Sequence, residues 1–317
     1  MEVSKKTKIY VAGHNGMVGS AILRKLKDLK FQNLLIKNRS QLDLISQAEV
    51  DAFINKERPD CIIICAAKVG GIKANNNFPA DFIYNNLQIQ NNIIHSAQKY
   101  KVKKLIFLGS SCIYPKESAQ PILEEFLLSG PLESTNEPYA IAKIAGIKLC
   151  ESYYKQYKSN YYSLMPCNLY GPNDNFNLET SHVIPALINK FHIAKINNNS
   201  KVEVWGSGEA YREFLYVDDF ADACIFCMIN IDAKSIYDQG ISQINIGSGV
   251  DLKISELALL IKDTVGYNGK IVFNKVLPDG TKRKLLNIDR ISSYGWKAMY
   301  TLDKGLKETY KYFRLND

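Results

Sequence analysis

The first thirty residues leave little freedom of architecture. Lys8-Ile9-Tyr10-Val11-Ala12 is a short apolar run that passes directly into Gly13-His14-Asn15-Gly16-Met17-Val18-Gly19, followed by an amphipathic helix to about Leu29. Strand, glycine turn and helix in this order build a phosphate cradle. The glycines allow a tight turn and close backbone approach, and the helix N-terminus offers free N–H groups to a pyrophosphate. The spacing here is G-x-x-G-x-x-G. A second strand, Leu34-Leu35-Ile36, ends in Lys37-Asn38-Arg39-Ser40, with no acid before Asp43. Chains that bind NAD place a carboxylate near this strand end to hold the ribose diol. A cationic Arg39 there suits a 2′-phosphate instead, which favours NADPH over NADH.

The alternation continues. Cys61 to Ala67 is an unbroken apolar run, as expected of a parallel strand buried on both faces. A helix over Asp81 to Lys99 follows, then the strand Lys104–Leu108, a helix from Tyr139 to about Tyr157, and a strand over Tyr161–Met165. This rhythm predicts an α/β fold with a Rossmann-like doubly wound parallel sheet. Past Gly171 the rhythm turns irregular. A helix is expected around Val183–Lys195, with short strands over Val202–Gly206 and Arg212–Val217. A further helix runs through Met228, then Ile244–Gly247, a helix over Ser255–Val265, a basic turn from Pro278 to Lys284, and a terminal helix. The expected division is a dinucleotide-binding domain over residues 1–171 and a smaller C-terminal α/β substrate-binding lobe over 172–317, with some later segments returning to the sheet.

Composition narrows the function classes. With 46% hydrophobic and 23% charged residues among 317, the chain has the make-up of a globular protein. Met1 to Lys8 is polar and leads straight into a strand, unlike a signal peptide. No apolar run approaches the roughly 20 residues of a bilayer span. A cytoplasmic address without membrane attachment is therefore expected. The seven cysteines lie mostly inside hydrophobic segments, and Cys224 and Cys227 have no second Cys or His pair to complete a zinc site. No metal is expected. The net charge of +8 comes from lysines spread along the whole chain, with no nucleic-acid motif; phosphate-bearing small-molecule partners explain it, and a generally Lys- and Asn-rich composition explains it equally well.

The candidate chemistry lies between Lys104 and Lys143. The strand breaks at Gly109 into Ser110-Ser111-Cys112-Ile113-Tyr114-Pro115, and Tyr139 and Lys143 stand one helical turn apart, on one face of their helix. An ammonium beside a phenol favours the ionised phenol, so the Tyr139 pKa is expected to fall. A hydroxyl from the neighbouring strand end completes a proton-transfer site.

These residues resemble the extended short-chain dehydrogenase/reductases that modify nucleotide sugars, and within them the GDP-L-fucose synthase family. The resemblance rests on Gly13 to Ser20, Ala66 to Ile72, Gly109 to Pro115, Tyr139 to Ser152, Asn168 to Phe176, Ser181 to Leu187, Trp205 to Gly208, and Arg212 to Leu215 with Asp218-Asp219. It implies an NADPH-dependent enzyme that epimerises GDP-4-keto-6-deoxy-D-mannose at C3 and C5 and then reduces C4, working as a homodimer. By resemblance, Cys112 is the base and His182 the acid of epimerisation. Tyr139 and Ser110 hold the C4 oxygen, and Lys143 serves both the phenol and the nicotinamide ribose. NADP(H) contacts are implied at Gly13, His14, Asn15, Gly16, Met17, Val18, Gly19, Arg39, Leu108, Gly109, Ser110, Lys143, Pro166, Cys167, Asn168, Leu169 and His182. Contacts with the GDP-linked 4-keto sugar are implied at Lys190, Trp205, Arg212 and Asp279.

The chain departs from the family at several of these places. Lys190 replaces an Arg, turning a bidentate phosphate grip into a point charge. Asn15 replaces an Arg that helps grip the 2′-phosphate, Tyr216 stands where His is common, and Cys167 where Thr is common. Two other readings compete. One is a C4-reductase of another GDP-4-keto sugar, such as a heptose, with little or no epimerisation. The other is a non-catalytic NADPH-binding regulator, which the presence of both Tyr139 and Lys143 disfavours.

Overall fold

The structure, a computed structural model, describes residues 2–277 and 280–316, with the side chains of residues 72 and 73 outside that description. Strand β1 (Ile9–Ala12) leads to helix α1 (Met17–Asp28), β2 (Leu34–Leu35) to α2 (Gln47–Glu57), and β3 (Cys61–Ile64) to α3 (Ile72–Asn77) and the long α4 (Pro79–Lys99). Strand β4 (Lys104–Leu108) is followed, after a loop, by α5 (Glu137–Tyr157), β5 (Asn160–Pro166) and β6 (Asn168–Tyr170). Next come α6 (Val183–Ile196), β7 (Lys201–Trp205), β8 (Tyr211–Tyr216), α7 (Val217–Asn230), α8 (Ala233–Tyr237) and β9 (Gln243–Ile246). The chain closes with β10 (Asp251–Lys253), α9 (Ile254–Val265), β11 (Lys270–Asn274), β12 (Arg283–Lys284), α10 (Asp289–Ser293) and α11 (Leu302–Asn316).

The main sheet is parallel throughout, in the order β2-β1-β3-β4-β5-β9. Every residue of β1, β3 and β4 is buried, as helices on both faces require. The order reverses between β1 and β3, so the crevice for a ligand opens at their C-terminal ends, where the glycine turn lies. The run Cys61 to Ala67 is strand only as far as Ile64; the last three residues leave the sheet and pass beneath that turn. Strand β9 rejoins the sheet beside β5, and α7 packs against α1. The later part of the chain therefore contributes to the first layer system as well as to the second.

Two cores lie on either side of β8. Leu215 belongs to the larger core, around the parallel sheet, and Phe214 and Tyr216 to the smaller one, lined by α6, α9 and α11. The period of two along a strand lets this single element face both. Strand β8 also organises the second sheet, pairing with β6, β10 and β12, while β7 and β11 form a separate parallel pair. Strands β6, β10, β11 and β12 are additions to the elements expected from the sequence. Among the described residues no helix is long and apolar enough to cross a membrane.

One buried charge ties α7 to the main sheet. Lys104 opens β4 with 1% exposure, and its ammonium donates to the Met228 and Ile231 carbonyls at 2.8 Å each and reaches Asp232 at 2.9 Å. The carbonyls at a helix C-terminus have no partners within the helix, and a cation there also favours the helix dipole. Lys104→Met should strand those carbonyls and lower unfolding stability by about 3 kcal/mol. Urea unfolding measures this, and a midpoint unchanged from wild type would contradict the assignment.

Candidate active site

The glycine turn has no slack. Gly13 takes φ +84°, and a Cβ there would lie 2.6 Å from the Ala66 backbone nitrogen. A Cβ at Gly19 would lie 2.2 Å from the Gly13 carbonyl oxygen. Gly16 donates its N–H to that same oxygen at 3.1 Å and caps α1 without any side-chain acceptor, so the first N–H groups of the helix have no partner within it. His14 sits in the turn with a buried Nδ1 that has no partner among the described residues, and burial lowers its pKa, which favours the neutral ring. Asn15 is exposed, and its carbonyl accepts the Asn173 side-chain amide at 2.8 Å. Arg39 is exposed on the turn after β2, at the sheet edge next to β1. Helix N–H groups without partners in the helix, no room for a side chain at Gly13 or Gly19, and a buried His14 nitrogen without a partner among the described residues are what a bound dinucleotide pyrophosphate would use.

The C-terminal end of β4 gathers the proton-transfer groups. Lys143 is buried; its ammonium donates to the Leu108 carbonyl at 2.8 Å and lies 4.8 Å from the Phe107 ring centre and 5.7 Å from that of Tyr139. Gly109 leaves no room for a side chain, since a Cβ would meet the Met165 methyl at 2.2 Å. Ser110 then caps a short turn over Ser111–Ile113, its hydroxyl accepting the Cys112 N–H at 3.4 Å. The same hydroxyl lies close enough to the Tyr139 phenol to oppose the rise of its pKa. Pro138 in the first turn of α5 presets the helix that presents Tyr139, and the Phe82 ring meets Tyr139 edge-on at 6.3 Å.

Burial dominates the ionisation of these groups. It pushes Tyr139 well up, the Cys112 thiolate adds to this, and the Ser110 hydroxyl only partly offsets it. The expected fall of the phenol pKa is therefore corrected. Lys143 lies over the ring and is bonded to Leu108, and it does not outweigh the loss of water around the oxygen. Burial also brings Lys143 down to about 8, against the pull of Cys112 and Cys65. Cys112 is raised by burial, opposed by Lys284, Ser110 and Lys143. His182 caps α6 and is lowered by burial. Its neighbour Thr180 accepts the Gly71 N–H at 3.0 Å, which joins the segment after β3 to the loop carrying His182. Among the described residues no hydrogen bond or ion pair links His182 to Cys112.

The remaining expected positions fall on the seam between the lobes. Pro166 ends β5, Cys167 donates its N–H to Ile246 at 3.0 Å, and the Asn168 amide donates to the Glu213 carbonyl at 2.7 Å. Leu169 is half-buried in β6. Lys190, on α6, lies 5.1 Å from the ring of the exposed Trp205 and donates to the Glu203 carbonyl at 3.1 Å. Arg212 on β8 donates to the Tyr211 carbonyl at 2.7 Å. Asp279 lies outside the described residues. Lys284 is a residue that the sequence reading saw only as part of a basic turn. It pairs in register with Arg212, and its ammonium is within electrostatic reach of Cys112. A two-residue strand carries no readable period, so its placement comes only from the pairing with β8.

The model of the NAD dependent epimerase/dehydratase family matches residues 9–247. The chain is 55% identical over 314 residues to the putative GDP-L-fucose synthase 2 of Arabidopsis thaliana, covering 99% of this chain and 94% of the relative. It is 52% identical to the GDP-L-fucose synthase of Escherichia coli (strain K12), covering 98% of each. Among solved structures, a GDP-mannoheptose C4 reductase from Campylobacter jejuni with NADP bound is 39% identical, with a TM-score of 0.90 over 98% of this chain and 99% of the other.

Gly13→Ala should raise the NADPH dissociation constant at least about ten-fold, because the new Cβ meets backbone at a φ that side chains avoid. Fluorescence titration reads the constant, with circular dichroism to show that the variant is folded. Wild-type affinity in a folded variant would remove the glycine turn from the binding site.

Proposed function

The chain belongs to the NAD dependent epimerase/dehydratase family, and we propose that it is an NADPH-dependent GDP-4-keto-6-deoxy-D-mannose 3,5-epimerase/4-reductase that makes GDP-L-fucose. The observation that carries this reading is the gathering of Ser110, Cys112, Tyr139 and Lys143 at the end of β4, beside the glycine turn at the β1/β3 crevice. Residues 1–171, with α7 and β9, make the dinucleotide half, and the rest of 172–317 the sugar-nucleotide half.

A C4 ketone acidifies the protons on its two flanking carbons. Cys112 as thiolate, favoured by Lys143 and Lys284, takes a proton from C3 or C5. Negative charge moves to O4, where the Ser110 and Tyr139 hydroxyls donate hydrogen bonds to it. Protonated His182 returns a proton to the opposite face, which inverts the carbon. Bound NADPH supplies the hydride for C4. Tyr139 then gives its proton to O4, and its raised pKa keeps it in the protonated form this step needs. The phenolate left behind is steadied by the Lys143 ammonium. Lys190, Trp205, Arg212 and Asp279 hold the GDP moiety; Lys190 and Arg212 bring positive charge to the diphosphate. Gly13 to Gly19, Arg39, Leu108 to Ser110, Lys143, Pro166 to Leu169 and His182 line the cofactor path. Exposed Tyr84, Ile141 and Tyr157 on α4 and α5 support pairing of two copies through these helices.

Turnover in deuterated water tests the epimerase half. The expected product carries solvent deuterium at C3 and C5 by NMR. A reduced product with none overturns that half and leaves a C4-reductase of the kind the heptose enzyme represents. Tyr139→Phe should slow NADPH oxidation at least about a hundred-fold, and an unchanged rate would remove Tyr139 from catalysis.

A second test uses pH. Lys143 loses its charge as pH rises through about 8 in the free protein, so kcat/KM for reduction should fall above that pH. Lys143→Arg, which keeps its charge, should retain some activity and lack this inflection. The same inflection in both proteins would assign it to another group.

A further inference from the structure

Glu213 lies in the middle of β8 with no solvent exposure, on the face that also carries Leu215 into the larger core. Its Oε1 accepts the Gly249 N–H at 2.7 Å and the Ser248 hydroxyl at 3.5 Å, and its Oε2 accepts the Leu286 N–H at 3.0 Å. Its own carbonyl accepts the Asn168 side chain at 2.7 Å. The fit is close enough that a Cβ at Gly247 would lie 2.2 Å from Oε1. One carboxylate thus collects the loop leaving β9, the segment after β12, and, through its backbone, β6.

No cation pairs with this carboxylate among the described residues; Arg283, on the neighbouring β12, is committed to Asp251. A buried charge held only by N–H and O–H dipoles is a costly way to fill space. What a carboxylate offers that other side chains do not is two acceptor-only oxygens, so N–H groups from two separate segments can converge on it. A glutamine would turn a donor toward one of them.

We propose that Glu213 is a positioning residue for the sugar-nucleotide site: it locks β8 to the dinucleotide sheet and to β12, and so fixes Arg212 on the opposite face of β8 and Lys284, its register partner. This rests on the reading of Arg212 as a diphosphate contact and of a GDP-sugar as substrate.

The lock has a pH signature. Burial pushes Glu213 up to about 7, against the pull of the backbone N–H groups. The groups that face it are the Cys167 thiol from the β5–β6 junction, the Ser248 hydroxyl, and Asp251 on β10, which is paired with Arg283. Burial holds Cys167 well above its ordinary value, so the thiol stays neutral and Glu213 is the group that titrates. Protonation places a hydroxyl where an N–H already points, and the lock loosens. It also relieves the cost of the buried charge. The folded-state pKa is above the unfolded one, so this group stabilises the fold as pH falls through that window. The grip on substrate weakens without unfolding.

The test is calorimetric titration with GDP-mannose, whose diphosphate has no ionisation near neutrality. Wild type, Glu213→Gln and Gly247→Ala are compared, with NADPH affinity and thermal midpoint measured alongside. In the wild type, the GDP-mannose dissociation constant should rise about ten-fold from about pH 8 to about pH 6. Glu213→Gln should bind about ten-fold more weakly at the higher pH, with a flat profile, and in turnover KM should rise more than kcat falls. Gly247→Ala, which displaces the carboxylate from the other side, should do the same. NADPH affinity should stay within about two-fold. Wild-type affinity and slope in Glu213→Gln would overturn the role, as would a parallel loss of NADPH binding, which marks general disruption. The wild-type pH series needs no variant, and a flat profile there also overturns the role. A wild type that does not bind GDP-mannose would instead overturn the substrate reading itself.

Discussion

Helix α5 lies so close to strand β4 that no methyl group fits between them. A Cβ on Gly146 would come within 2.5 Å of the Phe107 ring and 3.0 Å of the Gln90 side chain. Gln90, from α4, fills the remaining space and donates to the Ala142 carbonyl at 2.6 Å. This three-way contact sets the height of α5 above the sheet. It places the Lys143 ammonium on the Leu108 carbonyl with the Phe107 ring beneath it, and Tyr139 one turn earlier against the Ser110 hydroxyl. A larger residue at 146 would lift the helix, and the ammonium and phenol would leave the strand end together. The geometry of the site thus rests on packing density together with these two hydrogen bonds.

Strand β8 performs the corresponding task for the other half. Its residues alternate between two cores, so neither lobe can shift without moving a strand that the other also packs against. Strand β6 follows directly from the end of β5, and pairs with β8. The C-terminal edge of the parallel sheet therefore runs straight into the strand bearing Arg212. Cofactor and sugar nucleotide would meet along this seam, where the backbone of one lobe is hydrogen-bonded to the other.

What the sequence made legible was local. The glycine turn could be read because its φ and close contacts depend on residues within one strand–helix unit. The Tyr139–Lys143 pairing could be read because helical period fixes it. The return of β9 to the main sheet, the pairing of β6 and β12 with β8, and the placement of Lys284 depend on contacts between segments far apart in the chain. Short strands such as Arg283–Lys284 carry too few residues to show a period. The Tyr139 ionisation was misjudged for the same reason. Sequence shows a neighbouring ammonium, but the desolvation that outweighs it is a property of the whole fold around the phenol.

That desolvation acts in one direction on every group in the cluster. Tyr139 and Cys112 are raised, His182 and Lys143 are lowered, so each is driven toward its neutral form in the free protein. The cluster then holds three neutral groups and Lys143, which at about 8 keeps most of its charge near neutral pH. It changes when a ligand brings charge. The diphosphate of a sugar nucleotide would carry negative charge to Lys190, Arg212 and Lys284, and two phosphates of a dinucleotide would do so at the N-terminus of α1. Negative potential arriving nearby favours protonated His182 and Lys143, the acid and the ammonium that the proposed reaction needs; it opposes the Cys112 thiolate, whose support then comes from Lys143 and Lys284. Substrate binding and protonation of the acid and the ammonium are thereby coupled, while the base depends on the two lysines, because the fold withholds water from all of them at once.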